Sequence, residues 1–238
     1  MQSEVSNSVM SQPGVSVIIP TLNEESNLNR LLPQLNELRP VPEIIVSDGG
    51  SSDNSTAVAG KYGVLLSREG RGRGAQLNAG ACLATSEILL FLHADSTFPD
   101  DSYRGLLEIM GAQKDLRGGA FRFSLKDTPG LWPRIYEINV HVRCRLLNLP
   151  YGDQGFFIRR SDWRQGTKFA GMPLMEDVEW WGRVSRILKM RILPYPLITS
   201  ARRFQKRGYL ASGIKNLWML TRYKCGASPL KLLEEYNK

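Results

Sequence analysis

An α/β fold built on a single, mainly parallel sheet is the class this sequence predicts, and three observations predict it. Short, continuously apolar runs rich in β-branched residues recur through the first half of the chain, as expected of strands buried on both faces. Segments of helical periodicity, roughly 10–15 residues long, separate them in the manner of βαβ units. Each polar cluster of this half falls at the carboxyl end of such a strand, where open α/β sheets bind their ligands. The length, 238 residues with 42% hydrophobic and 23% charged content, suits one domain with a sizeable core.

Val15-Ser-Val-Ile-Ile19 is the first strand, ended by Pro20. Leu28, Leu31, Leu32, Leu35 and Leu38 then recur at helical spacing, after Asn23 as cap and Glu24 and Glu25 as an acidic first turn. Glu43-Ile-Ile-Val-Ser47 is the second strand, broken by Asp48-Gly-Gly-Ser-Ser-Asp53. Asp53 caps a helix reaching Tyr62, and Gly63-Val-Leu-Leu-Ser67 is the third strand. A helix over 74–84 leads to the fourth strand, Glu87-Ile-Leu-Leu-Phe-Leu92, which runs into His93-Ala-Asp95. Beyond it, 118–125 alternates like a strand and 131–147 reads as a helix. A turn at Tyr151-Gly-Asp-Gln154 precedes a strand over 155–158, and a helix starts at Glu176 and continues towards Leu188. Residues 190–193 and 196–200 are extended, and helices over 209–223 and 229–236 close the chain. The resulting division is a flexible arm over 1–14, a main domain over 15–208 and a basic helical appendage over 209–238.

The formal charge is +8, but its distribution says more than its total. From Gly182 onward 13 basic residues meet only Glu234 and Glu235, whereas residues 1–181 carry 18 basic and 21 acidic ones. An anionic partner is expected at the basic end: a phosphate, a membrane surface or nucleic acid. The three cysteines are scattered without C-x-x-C spacing, which argues against a disulfide framework or structural zinc and fits a reducing cytoplasm. No apolar run approaches the roughly 18 residues of a membrane span, and the first fourteen residues lack the apolar centre of a signal peptide. The expected place is therefore the cytoplasm, with peripheral contact at the inner face of an anionic membrane as an option. The apolar side of the 209–223 helix, with Leu210, Ile214, Leu217, Trp218 and Leu220, either packs on the domain or rests on such a surface.

Four clusters can carry chemistry. Asp48 and His93-Ala-Asp95 end neighbouring strands: Asp95 can help hold a divalent cation whose other positions go to water and phosphate, Asp48 can accept hydrogen bonds from a base or ribose, and both can instead cap the turns or helices that follow. Arg68-Glu-Gly-Arg-Gly-Arg-Gly-Ala-Gln-Leu-Asn78 combines glycines, arginines such as Arg71 and Arg73, and a helix start, all favourable to an anion. Gly152-Asp-Gln-Gly155 and Glu176-Asp-Val-Glu179 offer carboxylates to activate an acceptor hydroxyl, although Glu176 and Asp177 also complement a helix dipole. Arg202-Arg-Phe-Gln-Lys-Arg207 sets four cations in six residues, suited to a diphosphate clamp or to a solvated loop.

Taken in order, Val15-Ser-Val-Ile-Ile-Pro-Thr-Leu-Asn-Glu-Glu25, Val46-Ser-Asp-Gly-Gly-Ser-Ser-Asp53, Leu89-Leu-Phe-Leu-His-Ala-Asp95 and Glu176-Asp-Val-Glu179 resemble the successive motifs of family 2 glycosyltransferases, which have the GT-A fold. With Gly152-Asp-Gln-Gly-Phe-Phe-Ile-Arg159 added, the chain resembles the small bacterial subgroup named for arsenosugar biosynthesis or radical-SAM/selenodomain association. The resemblance implies a metal-dependent inverting transferase that moves a sugar from a nucleotide-sugar, a UDP-sugar in expectation, to a small-molecule or lipid acceptor. It implies Pro20, Leu22 and Glu24 beside the nucleotide, Asp48 on the uracil or ribose, and Arg73 and Asn78 along the sugar-nucleotide. Asp95 would bind Mg²⁺ or Mn²⁺ and Asp177 would be the general base, accompanied by Glu176. Arg202 and Arg203 would stabilise the leaving diphosphate, with Asp153 and Gln154 on the acceptor side.

One departure from the family pattern carries a consequence. The usual D-x-D is here His93-Ala-Asp95, and an imidazole in place of a carboxylate favours Mn²⁺ over Mg²⁺. Two other classes compete. A sugar-nucleotide-forming nucleotidyltransferase should carry a Gly-rich phosphate cradle after the first strand, where this chain has Pro20-Thr-Leu-Asn-Glu24. A non-catalytic binder of membrane or nucleic acid would use the basic end and leave the acids at the strand ends unexplained, so a nucleic-acid partner is not expected.

Overall fold

A computed structural model describes residues 12–67, 72–125, 128–164, 166–202, 204 and 208–236. The expected loose arm therefore lies outside the described residues up to position 11, and Gly14 already accepts a backbone hydrogen bond from Ile88. Eight strands among the described residues form one sheet, in the order β3-β2-β1-β4-β7-β6-β8-β5. They are β1 (Val15–Thr21), β2 (Glu43–Asp48), β3 (Leu65–Ser67), β4 (Ile88–Phe91), β5 (Ser96–Thr97), β6 (Gly118–Leu125), β7 (Phe156–Arg159) and β8 (Met190–Thr199). The first four sequence strands, β1 to β4, are parallel, as the apolar runs predict, and β6 is parallel to β8. Between these halves lies β7, antiparallel to both β4 and β6.

This reversed strand matters for the site. Because β7 runs the other way, the turn that precedes it reaches the same end of the sheet as the carboxyl ends of β1, β2 and β4. Its four residues are buried, so no alternation reveals its direction in the sequence. Pro20 does not end β1, which continues through Thr21. Ile18 accepts from Leu92 on the β4 side, so Pro20, two residues on, turns its nitrogen to that same side, past the last β1–β4 pair, and costs no ladder bond.

The helices among the described residues are α1 (Glu25–Glu37), α2 (Ser55–Lys61), α3 (Arg73–Leu83), α4 (Asp100–Ala112), α5 (Leu131–Leu147), α6 (Arg160–Arg164), α7 (Glu176–Val184), α8 (Tyr209–Lys224) and α9 (Pro229–Tyr236). Along β1 the faces alternate: Val17 and Ile19 join Leu28, Leu31 and Leu32 of α1, while Ile18 joins Leu77 of α3 and Trp180 of α7. The second face is aromatic, with Trp180 stacked on Phe156 at 5.1 Å and on Phe169 at 5.0 Å between ring centroids. A third cluster, Phe123, Tyr136, Val140 and Phe204 among its members, seats α5 on the far end of β6.

Asn23 does not cap α1 but adopts a left-handed conformation (φ 56°), and its Oδ1 accepts from the Ser52 backbone N–H at 2.8 Å. The capping role falls to Asp53, whose Oδ2 accepts from Glu25 N–H at 3.1 Å and whose Oδ1 accepts from Ser55 N–H at 3.0 Å. One carboxylate thus serves the starts of two helices, and its hydrogen-bond donors, Ser55 foremost, hold it below the usual carboxylate range. The 190–193 and 196–200 segments form one strand, β8, whose irregularity is absorbed by a register shift opposite Phe121. No helix among the described residues is long and apolar enough to cross a membrane.

Candidate active site

The strand ends open into a cleft made of two adjoining cavities. One, of about 430 Å³, is lined by Pro20, Leu22, Glu24, Gly49 and Gln76. The other, of about 360 Å³, is lined by Tyr151, Asp153, Asp177, Thr199 and Lys215 with residues of α9. Arg73, His93 and Asp95 line both and form the seam between them.

The first cavity is assembled by loop-to-loop hydrogen bonds. Gln76, buried on α3, donates from Nε2 to the Thr21 carbonyl at 2.7 Å and to the Ser47 carbonyl at 3.0 Å, tying the ends of β1 and β2. Gly49 leaves room for it, since a Cβ there would stand 2.7 Å from Nε2. Asp48 turns back on its own loop: Oδ2 accepts from Gly50 N–H at 2.9 Å and Ser51 N–H at 3.0 Å, leaving Gly49 rather than Asp48 in the cavity wall. Asn78 likewise serves the scaffold, donating to the Phe169 carbonyl at 2.9 Å and accepting from Phe169 N–H at 3.0 Å. Neither is among the cavity-lining residues.

The second cavity centres on the start of α7. Met175, just before it, holds a left-handed conformation (φ 67°), uncommon for a residue with a side chain and characteristic of strained sites. Asp177 follows in the first turn, where the helix dipole favours an anion. Its Oδ2 accepts from Gly152 N–H at 2.8 Å and its Oδ1 from its neighbour Val178 N–H at 2.8 Å, so the carboxylate is oriented by backbone on both sides. A Cβ at Gly152 would meet Asp177 Oδ2 and His93 Nε2, each at 3.3 Å, so this glycine leaves the two side chains close to one point.

Glu176 differs from its neighbour. It is buried, and its carboxylate pairs with the Arg73 guanidinium at the start of α3. Burial raises its pKa above the usual carboxylate range, and the Asp177 charge adds to this against the pull of Arg73. For Arg73 burial opposes the charge, but Glu176 and then Asp177 outweigh it and hold the guanidinium protonated. Glu176 and Asp177 both line the cleft, Glu176 tied to Arg73 and Asp177 held by the Gly152 and Val178 backbone N–H groups.

Asp153 lines the cleft, but Gln154 lies beneath it, buried, donating to the Phe121 carbonyl at 2.9 Å and accepting from Tyr151 N–H at 3.3 Å. Arg202 is exposed and outside the cavity lining; Arg203 and Arg71, together with the rest of the 68–71 and 205–207 segments, lie outside the described residues. Sequence reasoning missed Gln76, Tyr151, Thr199, Lys215 and Tyr236 as wall residues. Two of them had a signal: Tyr151 in its place before Gly152-Asp-Gln154, and Gln76 inside the Arg68–Asn78 cluster.

The residues present fit a divalent cation held jointly with a ligand. His93 and Asp95 share the seam, yet no group of three or more His, Cys, Asp or Glu side chains among the described residues could hold a metal alone. One or two protein ligands, with water and phosphate completing the shell, is the usual arrangement for such ions at nucleotide sites.

The family model described as Glycosyl transferase family 2 matches residues 16–168. The undecaprenyl-phosphate 4-deoxy-4-formamido-L-arabinose transferase of Sodalis glossinidius is 31% identical over 233 residues, 92% of this chain and 70% of that protein. Other curated glycosyltransferases match over shorter stretches, and the chain spans 31–59% of their lengths. Among solved structures, the mannosyltransferase PcManGT of Pyrobaculum calidifontis, in complex with GDP-Man and Mn²⁺, superposes with a TM-score of 0.65 at 18% identity, covering 92% of this chain and 66% of that one. S. aureus TarS 1-349 in complex with UDP-GlcNAc gives 0.64 at 16% identity, covering 79% and 58%. These two likenesses concern the fold.

Proposed function

The chain belongs to the family 2 glycosyl transferases, and from that premise we propose that it moves a sugar from a nucleotide-sugar, in the first instance a UDP-sugar, to an acceptor oxygen with inversion at the anomeric carbon. The observation that carries this reading is the seam: Arg73, His93 and Asp95 stand between a cavity walled by the β1 loop and a cavity holding Asp177. A sugar diphosphate bridging two cavities needs positive charge at their junction, which Arg73 offers, and its acceptor needs a base on the far side, where Asp177 stands.

In this reading Pro20, Leu22 and Glu24 border the nucleotide. Asp95 and His93 would hold Mn²⁺ or Mg²⁺, which when bound would offset the charge of the leaving diphosphate. Asp177 accepts the proton of the acceptor oxygen as that oxygen bonds to the anomeric carbon and the bond to the diphosphate breaks. Its two backbone hydrogen bonds fix the carboxylate before the acceptor arrives. Glu176 positions Arg73 at the seam rather than taking the proton. Residues 15–208 form the catalytic unit, and 209–238 complete its acceptor side through Lys215 and Tyr236.

The complexes named for the two structural neighbours, with UDP-GlcNAc and with GDP-Man and Mn²⁺, support a nucleotide-sugar donor and a divalent cation. The arsenosugar-type subgroup remains our proposal from the Gly152–Arg159 motif. Release of the nucleoside diphosphate from a panel of UDP-, GDP- and dTDP-sugars tests the reading. Release that requires a divalent cation and Asp177 supports it; no turnover of any donor by folded protein with Mn²⁺ overturns it.

A further inference from the structure

The turn that carries Gly152 is held from beneath by the buried side chain of Gln154. Gly155 follows in a left-handed conformation (φ 62°), and a Cβ there would stand 2.8 Å from Leu197, so glycine lets the chain descend into β7 at this point. A glutamine carries a donor and an acceptor at the end of one side chain, and both are used here. Nε2 donates to the Phe121 carbonyl at 2.9 Å, where the β6–β8 register shifts. Oε1 accepts from Tyr151 N–H at 3.3 Å, from Arg143 Nη2 at 3.4 Å and from the Cys144 thiol at 3.3 Å. One side chain thereby joins β6, α5 and the turn.

Arg143 is itself fixed. Its Nε donates to the Leu149 carbonyl at 2.9 Å, and its guanidinium lies 3.5 Å from the centroid of the Tyr151 ring. Tyr151 is thus held at its backbone by Gln154 and at its ring by Arg143. The rest of the turn closes on its own carbonyls. Gln154 N–H donates to the Tyr151 carbonyl at 3.0 Å, Gly155 N–H to the Gly152 carbonyl at 3.2 Å, and Thr199 Oγ1 to the Asp153 carbonyl at 3.1 Å. The Gly152 N–H points out of this arrangement and reaches Asp177 Oδ2 at 2.8 Å.

We propose that Gln154 is a positioning residue for the transfer reaction: it holds the Tyr151–Gln154 turn so that the Gly152 N–H fixes the Asp177 carboxylate. The proposal rests on the transferase reading above and adds a residue that acts on the base through Gly152. The sequence places Gln154 on the acceptor side; its bonds place it behind the base instead. A scaffold residue would stabilise the fold and leave the Gly152 N–H where it is. A positioning residue sets that N–H, and a misplacement of about 1 Å can cost about 100-fold in rate.

Two variants test this in the full chain. Gln154→Asn keeps an amide but is one methylene too short to span from Phe121 to Tyr151; Gln154→Met keeps the length, removes both bonds and serves if the first does not fold. Hydrogen exchange at the Gly152 amide, followed by NMR, should quicken by about tenfold or more relative to the amides of β1 and β4. Release of nucleoside diphosphate at saturating nucleotide-sugar with Mn²⁺ should fall by about tenfold or more, with donor affinity by calorimetry unchanged. In an Asp177→Asn background the same substitution should lower release by less than about twofold, since the carboxylate it serves is gone. Unchanged Gly152 exchange or unchanged release in a folded variant overturns the proposal and leaves the transferase reading standing. An equal loss in the Asp177→Asn background, or failure of both variants to fold, makes Gln154 a scaffold residue and also overturns it. No release from any donor by the folded parent chain overturns the transferase reading and this role together, whatever the exchange shows.

Discussion

Asp177 and Gly152 carry the sharpest tests at the scale of single residues. Asp177→Asn keeps an oxygen for one of the two backbone N–H groups that Asp177 accepts from, so the fold and the donor affinity should change little. Turnover should nevertheless fall by roughly 10²–10⁴, the share a positioned base supplies, as read from nucleoside diphosphate release. Gly152→Ala should act differently. Its methyl would press on Asp177 Oδ2 and His93 Nε2 at once, so turnover should drop by roughly tenfold or more in a protein whose melting temperature barely moves. Replacing Mg²⁺ by Mn²⁺ in metal-depleted enzyme should give at least equal turnover, because His93 stands where a carboxylate would favour Mg²⁺; a strict Mg²⁺ requirement would remove His93 from the metal. The sequence made residue types at strand ends legible, since a carboxylate after a buried strand can only sit at the sheet's edge. It did not tell where each side chain spends its hydrogen bonds. Asp48 and Asn78 carry the right motif positions and yet bond to backbone, and Gln76, given no role of its own within the Arg68–Asn78 cluster, holds the loops together.

Among the elements, the decisive link joins the starts of α3 and α7 through Arg73 and Glu176. Arg73→Ala would leave a buried carboxylate unpaired and should cost about 2–3 kcal/mol, below the range for fully buried pairs because Arg73 is itself partly exposed. The loss should depend on pH. In the folded chain Glu176 holds its proton more tightly than in the unfolded chain, so its contribution is most favourable below the ordinary value of 4.5 and is lost as pH rises through the folded value. Without Arg73 that rise is unopposed, and chemical denaturation should show the variant losing stability more steeply than the parent between about pH 5 and 8. A parallel pH dependence in the two proteins would contradict the pairing. Elements with a clean period were readable: Leu28, Leu31, Leu32 and Leu35 announce α1, and α5 and α9 begin and end where their apolar spacing says. Helix α4 had the same signal in Tyr103, Leu106, Leu107 and Met110 and went unread. The direction of β7 was not readable at all, because all four of its residues are buried and a strand buried on both faces has no alternation to show.

At the scale of the whole molecule, charge and polarity are divided between the two sides of the cleft. The cavity walled by the β1 loop is built from near-neutral βαβ units, and the cavity holding Asp177 is closed by the basic last quarter, where Lys215 donates to the Tyr236 carbonyl at 2.9 Å. That asymmetry was visible in composition; that α8 would separate a polar cleft from an apolar groove was not, because both faces of the helix carry apolar residues and only the position of α5 distinguishes them. The central claim is that the seam residues hold a metal-bridged nucleotide-sugar. It is tested most directly by titrating UDP-, GDP- and dTDP-sugars into the purified chain by calorimetry, with and without Mn²⁺, and repeating the titration with Asp95→Ala. Binding of one donor class that needs Mn²⁺ and is lost in the variant is the predicted result. Donor binding that ignores both Mn²⁺ and Asp95, or no binding by a folded chain, would contradict it.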